Sequence, residues 1–173
     1  MMSKKHNKLD AEQLFGHAAY LEEELAALKK VISAVPYEEK PVGQHSIIEM
    51  IMEIYFAQNN YYGPVIKRLF SDVQPEINDL STTQLDPNIS DLDESKPEEI
   101  IDEVIKSRTK LLATLNQIPK HDWERKGIVF GKKTTMLKML DEMIQFERAK
   151  FKEIAHRVLV IDASRSMIKP SQP

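Results

Sequence analysis

Apolar residues recur at steps of three and four along four separate stretches of this chain, the spacing of helices that pack by one face. In the first stretch, Leu14, Ala18, Leu21, Leu25, Leu28 and Ile32 share a face, while Glu22, Glu23, Glu24, Lys29 and Lys30 fall elsewhere. Pro36 and Pro41 end it, because proline lacks the backbone N–H and clashes with the preceding turn. The second helix is predicted from about residue 44–46 to 70. It is apolar almost all round, with Ile47, Ile48, Met50, Ile51, Met52, Ile54, Tyr55 and Phe56 in one short run, so it is expected to be buried on most sides. Asn59, Asn60, Tyr61, Tyr62 and Gly63-Pro64 follow, and the proline is expected to kink the helix or to start a new turn.

The third helix opens at Ser95-Lys96-Pro97-Glu98. There the serine is expected to accept from the backbone N–H three residues on, and Glu98 to reach back. Its apolar line is Ile101, Val104, Ile105, Leu111 and Leu115, with Arg108 among them, and it stops before Pro119. The fourth is capped by Thr134 or Thr135 and runs to about residue 161. Leu137, Leu140, Ile144, Phe151, Ile154 and Val158 define its buried line, Glu147 falls on that line, and Met136, Met139, Met143 and Phe146 widen it.

These four helices predict an all-α four-helix bundle with a long connection, 71–96, between helices two and three. That connection is acidic (Asp72, Glu76, Asp79, Asp86, Asp91, Asp93 and Glu94 against Lys96 alone) and carries Pro75 and Pro87. Ile128, Val129 and Phe130, between Gly127 and Gly131, are expected to form a short extended piece. The predicted organisation is a disordered start over 1–9, one bundle domain over 10–162 and a flexible tail over 163–173.

Composition closes several function classes. The chain has 173 residues, a net charge of −3 and no cysteine. The weak negative charge leaves no whole-chain footprint for nucleic acid. The missing cysteine removes disulfides, thiolate catalysis and cysteine-based metal sites, and it fits the cytoplasm. No window has the ~18 apolar residues of a membrane span.

A search for chemistry returns little. No strained serine elbow, phosphate loop or dinucleotide loop is present. One Glu-x-x-His pair occurs, Glu153 and His156, on what is expected to be a solvated face. Of the other histidines, His6 falls in the frayed start, His17 lies beside Leu14 and Leu21, His45 stands at a helix start and His121 in a loop. Glu49 and Glu53 are one helical turn apart on the most apolar helix. A carboxylate there needs a partner, either a ligand or a basic residue of another helix, and the latter is expected. Glu147 and Lys150 raise the same question. Lys120, Arg125, Lys126, Lys132 and Lys133 surround Trp123, diluted by Asp122 and Glu124, and no nucleic-acid partner is expected from them.

The layout resembles the DinB/YfiT-like superfamily of metal-dependent four-helix bundles. The helix-two motif of that family reads roughly Trp-Ser-Val-x-Glu-Val-Leu-x-His, against His45-Ser46-Ile47-Ile48-Glu49-Met50-Ile51-Met52-Glu53. The helix-four motif is matched by Thr135, Lys138-Met139-Leu140, Met143-Ile144-Gln145-Phe146-Glu147 and Lys150. Three histidines of the family hold a divalent metal. On this resemblance Glu53 stands at the first of those positions, Phe146 at the second and Lys150 at the third, so the metal-dependent activity is not carried over. No metal and no cofactor is expected. The resemblance also implies that Glu53 and Lys150 face each other, the ammonium standing in for the metal's charge. A buried pair of that kind costs ~3–5 kcal/mol to break from one side.

The expected function is a metal-free bundle acting as a scaffold for a small molecule or a protein, with His17, His45, Glu49 and Glu147 as pocket residues and a homodimer as the assembly the family implies. A metal-dependent hydrolase or thiol transferase with non-standard ligands is the first alternative. An interaction module using the acidic 71–96 connection is the second.

Overall fold

A computed structural model describes residues 10–71, 75–80 and 92–168. Helix α1 (Ala11–Lys29) starts at Asp10, whose carboxylate accepts from Gln13 N at 2.8 Å while the Gln13 side chain accepts from Asp10 N. Its buried side is Leu14, Ala18, Leu21, Leu25 and Leu28, the predicted face. A single 3₁₀ turn, Ile32–Ala34, closes it.

Helix α2 (Ile47–Ala57) opens with a second reciprocal cap. Ser46 Oγ accepts from Glu49 N at 3.1 Å, and the Glu49 carboxylate accepts from Ser46 N at 2.8 Å. The long second helix expected from the sequence does not run unbroken. It widens into a π-turn at Gln58–Tyr62 and resumes as α3 (Gly63–Ser71). Pro64 explains the change, since its ring would strike the carbonyl four residues back and it has no N–H to donate; the wider turn absorbs both. Gly63 is needed there, as a Cβ would lie 2.7 Å from the Gln58 carbonyl oxygen.

Helix α4 (Pro97–Asn116) begins with proline in its first turn, but the expected serine cap is absent. Ser95 instead donates to Asp93 Oδ1 from both N (3.0 Å) and Oγ (2.6 Å). The nearer carboxylate takes the hydroxyl, and Glu98 and Glu99 are left to meet the positive end of the helix. Helix α5 (Met136–Ile168) starts where Thr135 Oγ1 accepts from Lys138 N. It continues past residue 161, where the apolar pattern fades, so the predicted tail is helical as far as Ile168.

A small sheet sits at one end and adds strands to an otherwise helical chain. Strands β1 (Glu76–Ile77), β2 (Lys126–Val129) and β3 (Lys132–Thr135) lie in the order β1-β2-β3, with β1 parallel and β3 antiparallel to β2. The extended piece predicted at 127–131 is thus one arm of a hairpin. Gly127 is the close-packing point: a Cβ would lie 2.3 Å from Leu69 Cδ2. The hairpin turns through Phe130 (φ 48) and Gly131 (φ 76). A left-handed phenylalanine costs roughly 1–2 kcal/mol.

The core divides into two apolar clusters. One joins Leu14 and Ala18 of α1, Val65, Ile66 and Leu69 of α3, Leu111 and Leu115 of α4, and Leu140, Met143 and Ile144 of α5. The other joins Leu21, Leu25 and Leu28 of α1, Ile47 to Tyr55 of α2, Ile100, Ile101 and Val104 of α4, and Ile154 of α5. These memberships fix the direction of each helix. The chain runs from the first cluster to the second in α1 and α5, and from the second to the first in both α2–α3 and α4. Two consecutive rods therefore point the same way, and the chain between them must return along the bundle. Most of that connection, like residues 1–9 and 169–173, lies outside the described residues. Among the described residues no helix is long and apolar enough to cross a membrane.

Candidate functional site

The boundary between the clusters falls at one level in all four rods, and polar residues occupy it. Gln58, Arg108 and Glu147 are each buried, Arg108 completely. Arg108 Nη2 forms an ion pair with Glu147 Oε1. Burial pushes the Glu147 carboxyl above its ordinary range, and Arg108 only partly opposes that. Arg108 Nε and Nη1, both amide atoms of Gln58, Asn60 Oδ1 and His17 Nδ1 are buried without a protein partner. His17 lines a cleft of about 20 Å³ with Tyr20, Glu24, Glu147 and Arg148. His17 and Glu147, two of the predicted pocket residues, therefore come together inside the bundle.

The other predicted site residues gather where α2 faces α5. Glu53 bridges two basic residues, with Oε1 on His45 Nδ1 and Oε2 on Lys150 Nζ. Glu53 and Lys150 are 28% and 26% exposed, so the pair is partly wet and not buried as expected. Lys150 Nζ also lies 5.8 Å from the Phe146 ring centroid, and Phe146 packs against Tyr62. Glu49 stands apart from this group. Its carboxylate holds Lys40 and caps α2, and the Lys40 hydrogen bond, helped by the Ser46 N–H, pulls its carboxyl down to about 2. It serves the helix start rather than a pocket.

The remaining candidates are dispersed. Glu153 and His156 are exposed, with Glu153 paired to Arg157 at 2.6 Å. Trp123 is buried and donates to the Ile118 carbonyl, and Arg125 donates to the Phe70 carbonyl, so the basic cluster has no free tryptophan face. Sequence reasoning missed Arg108 as the partner of Glu147. Its signal was present, a guanidinium within an apolar line and a carboxylate within another, each requiring the opposite charge.

The residues at the three positions that the resemblance matches to metal ligands are not a set of ligands. Phe146 has no donor atom, and the Lys150 ammonium occupies the only carboxylate at the three matched positions. Among the described residues, no group of three or more His, Asp or Glu side chains is arranged to hold a metal.

No protein-family model matches this chain, and no curated protein does. Its structure superposes on a solved structure of YfiT from Bacillus subtilis with a TM-score of 0.63, covering 90% of this chain and 93% of that one at 16% identity. The fold is that of YfiT. That protein is described as a probable metal-dependent hydrolase with an unusual four-helix bundle topology. At this identity the likeness is one of fold, and it agrees with the superfamily resemblance carried by the helix-two and helix-four motifs. Two consecutive rods running the same way, as here, depart from the up-down-up-down order of simple bundles.

Proposed function

We propose that this chain is a metal-free bundle of the YfiT-like fold that binds a small molecule where the π-turn and α2 meet α5. The ion pair of Lys150 with Glu53 carries the reading, because a protein cation stands at the place that the resemblance assigns to the family's metal. A fixed ammonium satisfies the carboxylate without an open coordination position, so hydrolysis by a metal-bound water has no seat there. The exposed Leu159 and Val160 on α5 are the apolar surface through which a homodimer would form, and the cysteine-free composition fits the cytoplasm. The competing reading, a metal-dependent hydrolase, is favoured by the YfiT likeness alone.

Elemental analysis decides between them. The purified chain, incubated in turn with zinc, nickel, manganese and iron and then desalted, is expected to retain well under one metal per chain. One tightly held ion per chain, lost on Glu53→Gln, would overturn the proposal.

A further inference from the structure

Four aromatic rings run in contact across the half-exposed face between the π-turn, the hairpin and α5. Phe130 stacks on Tyr61 with centroids 6.2 Å and planes 15° apart. Tyr61 meets Tyr62 edge-on at 4.9 Å, and Tyr62 lies 6.4 Å from Phe146. Lys150 ends the strip, with Glu53 beyond it.

Packing explains only part of this. Tyr61 and Tyr62 are neighbours in sequence, yet both join the strip where the helix widens. Phe130 is 47% exposed and holds a left-handed backbone, at a turn position where asparagine or glycine would sit without strain. A large ring kept wet and strained points to recognition rather than to folding.

We propose that the strip binds a planar aromatic carboxylate, its ring against the faces and edges of Phe130, Tyr61, Tyr62 and Phe146 and its carboxylate on Lys150. This rests on the metal-free reading above. Lys150 is the cation in contact with the strip. Its present partner is also held by His45 through the other oxygen, so Glu53 keeps a partner when the ligand takes the ammonium. Glu142, which acts on both Tyr61 and Tyr62, faces Lys138 at 3.8 Å, and Glu147, which also acts on Tyr62, is paired with Arg108. The ligand exchanges one carboxylate for another on Lys150, and the rings supply the aromatic contact surface.

Calorimetric titration of the full chain with three naphthalenes of different charge tests this: 1-naphthoate, 1-naphthalenemethanol and (1-naphthylmethyl)trimethylammonium. The carboxylate is expected to bind tightest, by about tenfold over the alcohol, the scale of one charge-assisted hydrogen bond. Lys150→Met erases that preference. Glu53→Gln, which removes the competitor for Lys150, strengthens naphthoate binding, a gain that no merely structural role gives. Phe130→Asn weakens all three with the helical circular dichroism unchanged, and it decides the matter with Glu53→Gln if Lys150→Met does not fold. Equal binding of the three, a preference for the ammonium, or no binding by a metal-free chain overturns the ligand assignment. One metal per chain lost on Glu53→Gln overturns the reading beneath it.

Discussion

Among the ion pairs that link helices of this bundle, Glu53–Lys150 and Arg108–Glu147 differ most in burial, and burial makes them energetically unlike. Glu53 and Lys150 keep about a quarter of their surface in water, so the pair is worth about 1 kcal/mol or less. Lys150→Met should cost no more than that in urea unfolding, and Glu53→Leu with Lys150→Met should couple by less than the buried-pair figure that the sequence alone suggested. Arg108 and Glu147 are wholly inside. Arg108→Met or Glu147→Leu alone leaves one buried charge and should cost about 3–5 kcal/mol, while the double replacement should recover most of the loss. The Glu147 carboxyl is raised in the folded chain, which means that the native state holds this proton more tightly than the unfolded one. Its contribution is full below the ordinary value of 4.5 and fades as pH rises through the raised value. Glu147→Gln should remove that downward slope from the stability-pH curve. The anomaly of each residue was legible on its own helix. Their pairing was not, because which two apolar lines meet is a property of packing and not of either line.

At the scale of elements, the helices were legible because their apolar faces repeat over several turns, whereas their interruptions depend on single residues. Pro64 was readable as a break, but a kink, a fresh start and a π-turn all accommodate a missing N–H, and the chain takes the last. The sheet was half legible: Gly127 and Gly131 marked the hairpin, but β1 joins it by a pairing remote in sequence. The start of α2 is set by Ser46 and Glu49. The depressed Glu49 carboxyl, at about 2 against an ordinary 4.5, gives stability that is present above 4.5 and lost as pH falls through the lower value. Melting temperatures followed from pH 5 downward should therefore fall less steeply in Glu49→Gln than in the parent chain. Ser46→Ala should cost about 1 kcal/mol at neutral pH, the usual worth of an N-cap.

Across the whole molecule, the parallel direction of α2–α3 and α4 sets a minimum length for the chain that joins them. Leu80 packs against the cluster at the sheet end, and Leu92 against the cluster at the far end. The twenty residues of α4, which cross both clusters, measure about 30 Å at 1.5 Å per residue. A fully extended chain covers about 3.3–3.6 Å per residue, so residues 81–91 reach roughly 36–40 Å, only a little more than the bundle is long. Removing five of them cuts the reach to roughly 20 Å, short of the far cluster. Such a deletion should pull Leu92 and the first turn of α4 away from the second cluster and lower the unfolding midpoint sharply. Inserting five glycine and serine residues at the same place lengthens an already long loop, and each doubling of such a loop costs only about 0.6 kcal/mol. The asymmetry is the test. A bundle of ordinary up-down-up-down order would tolerate the deletion as easily as the insertion, because its second and third helices would begin and end side by side.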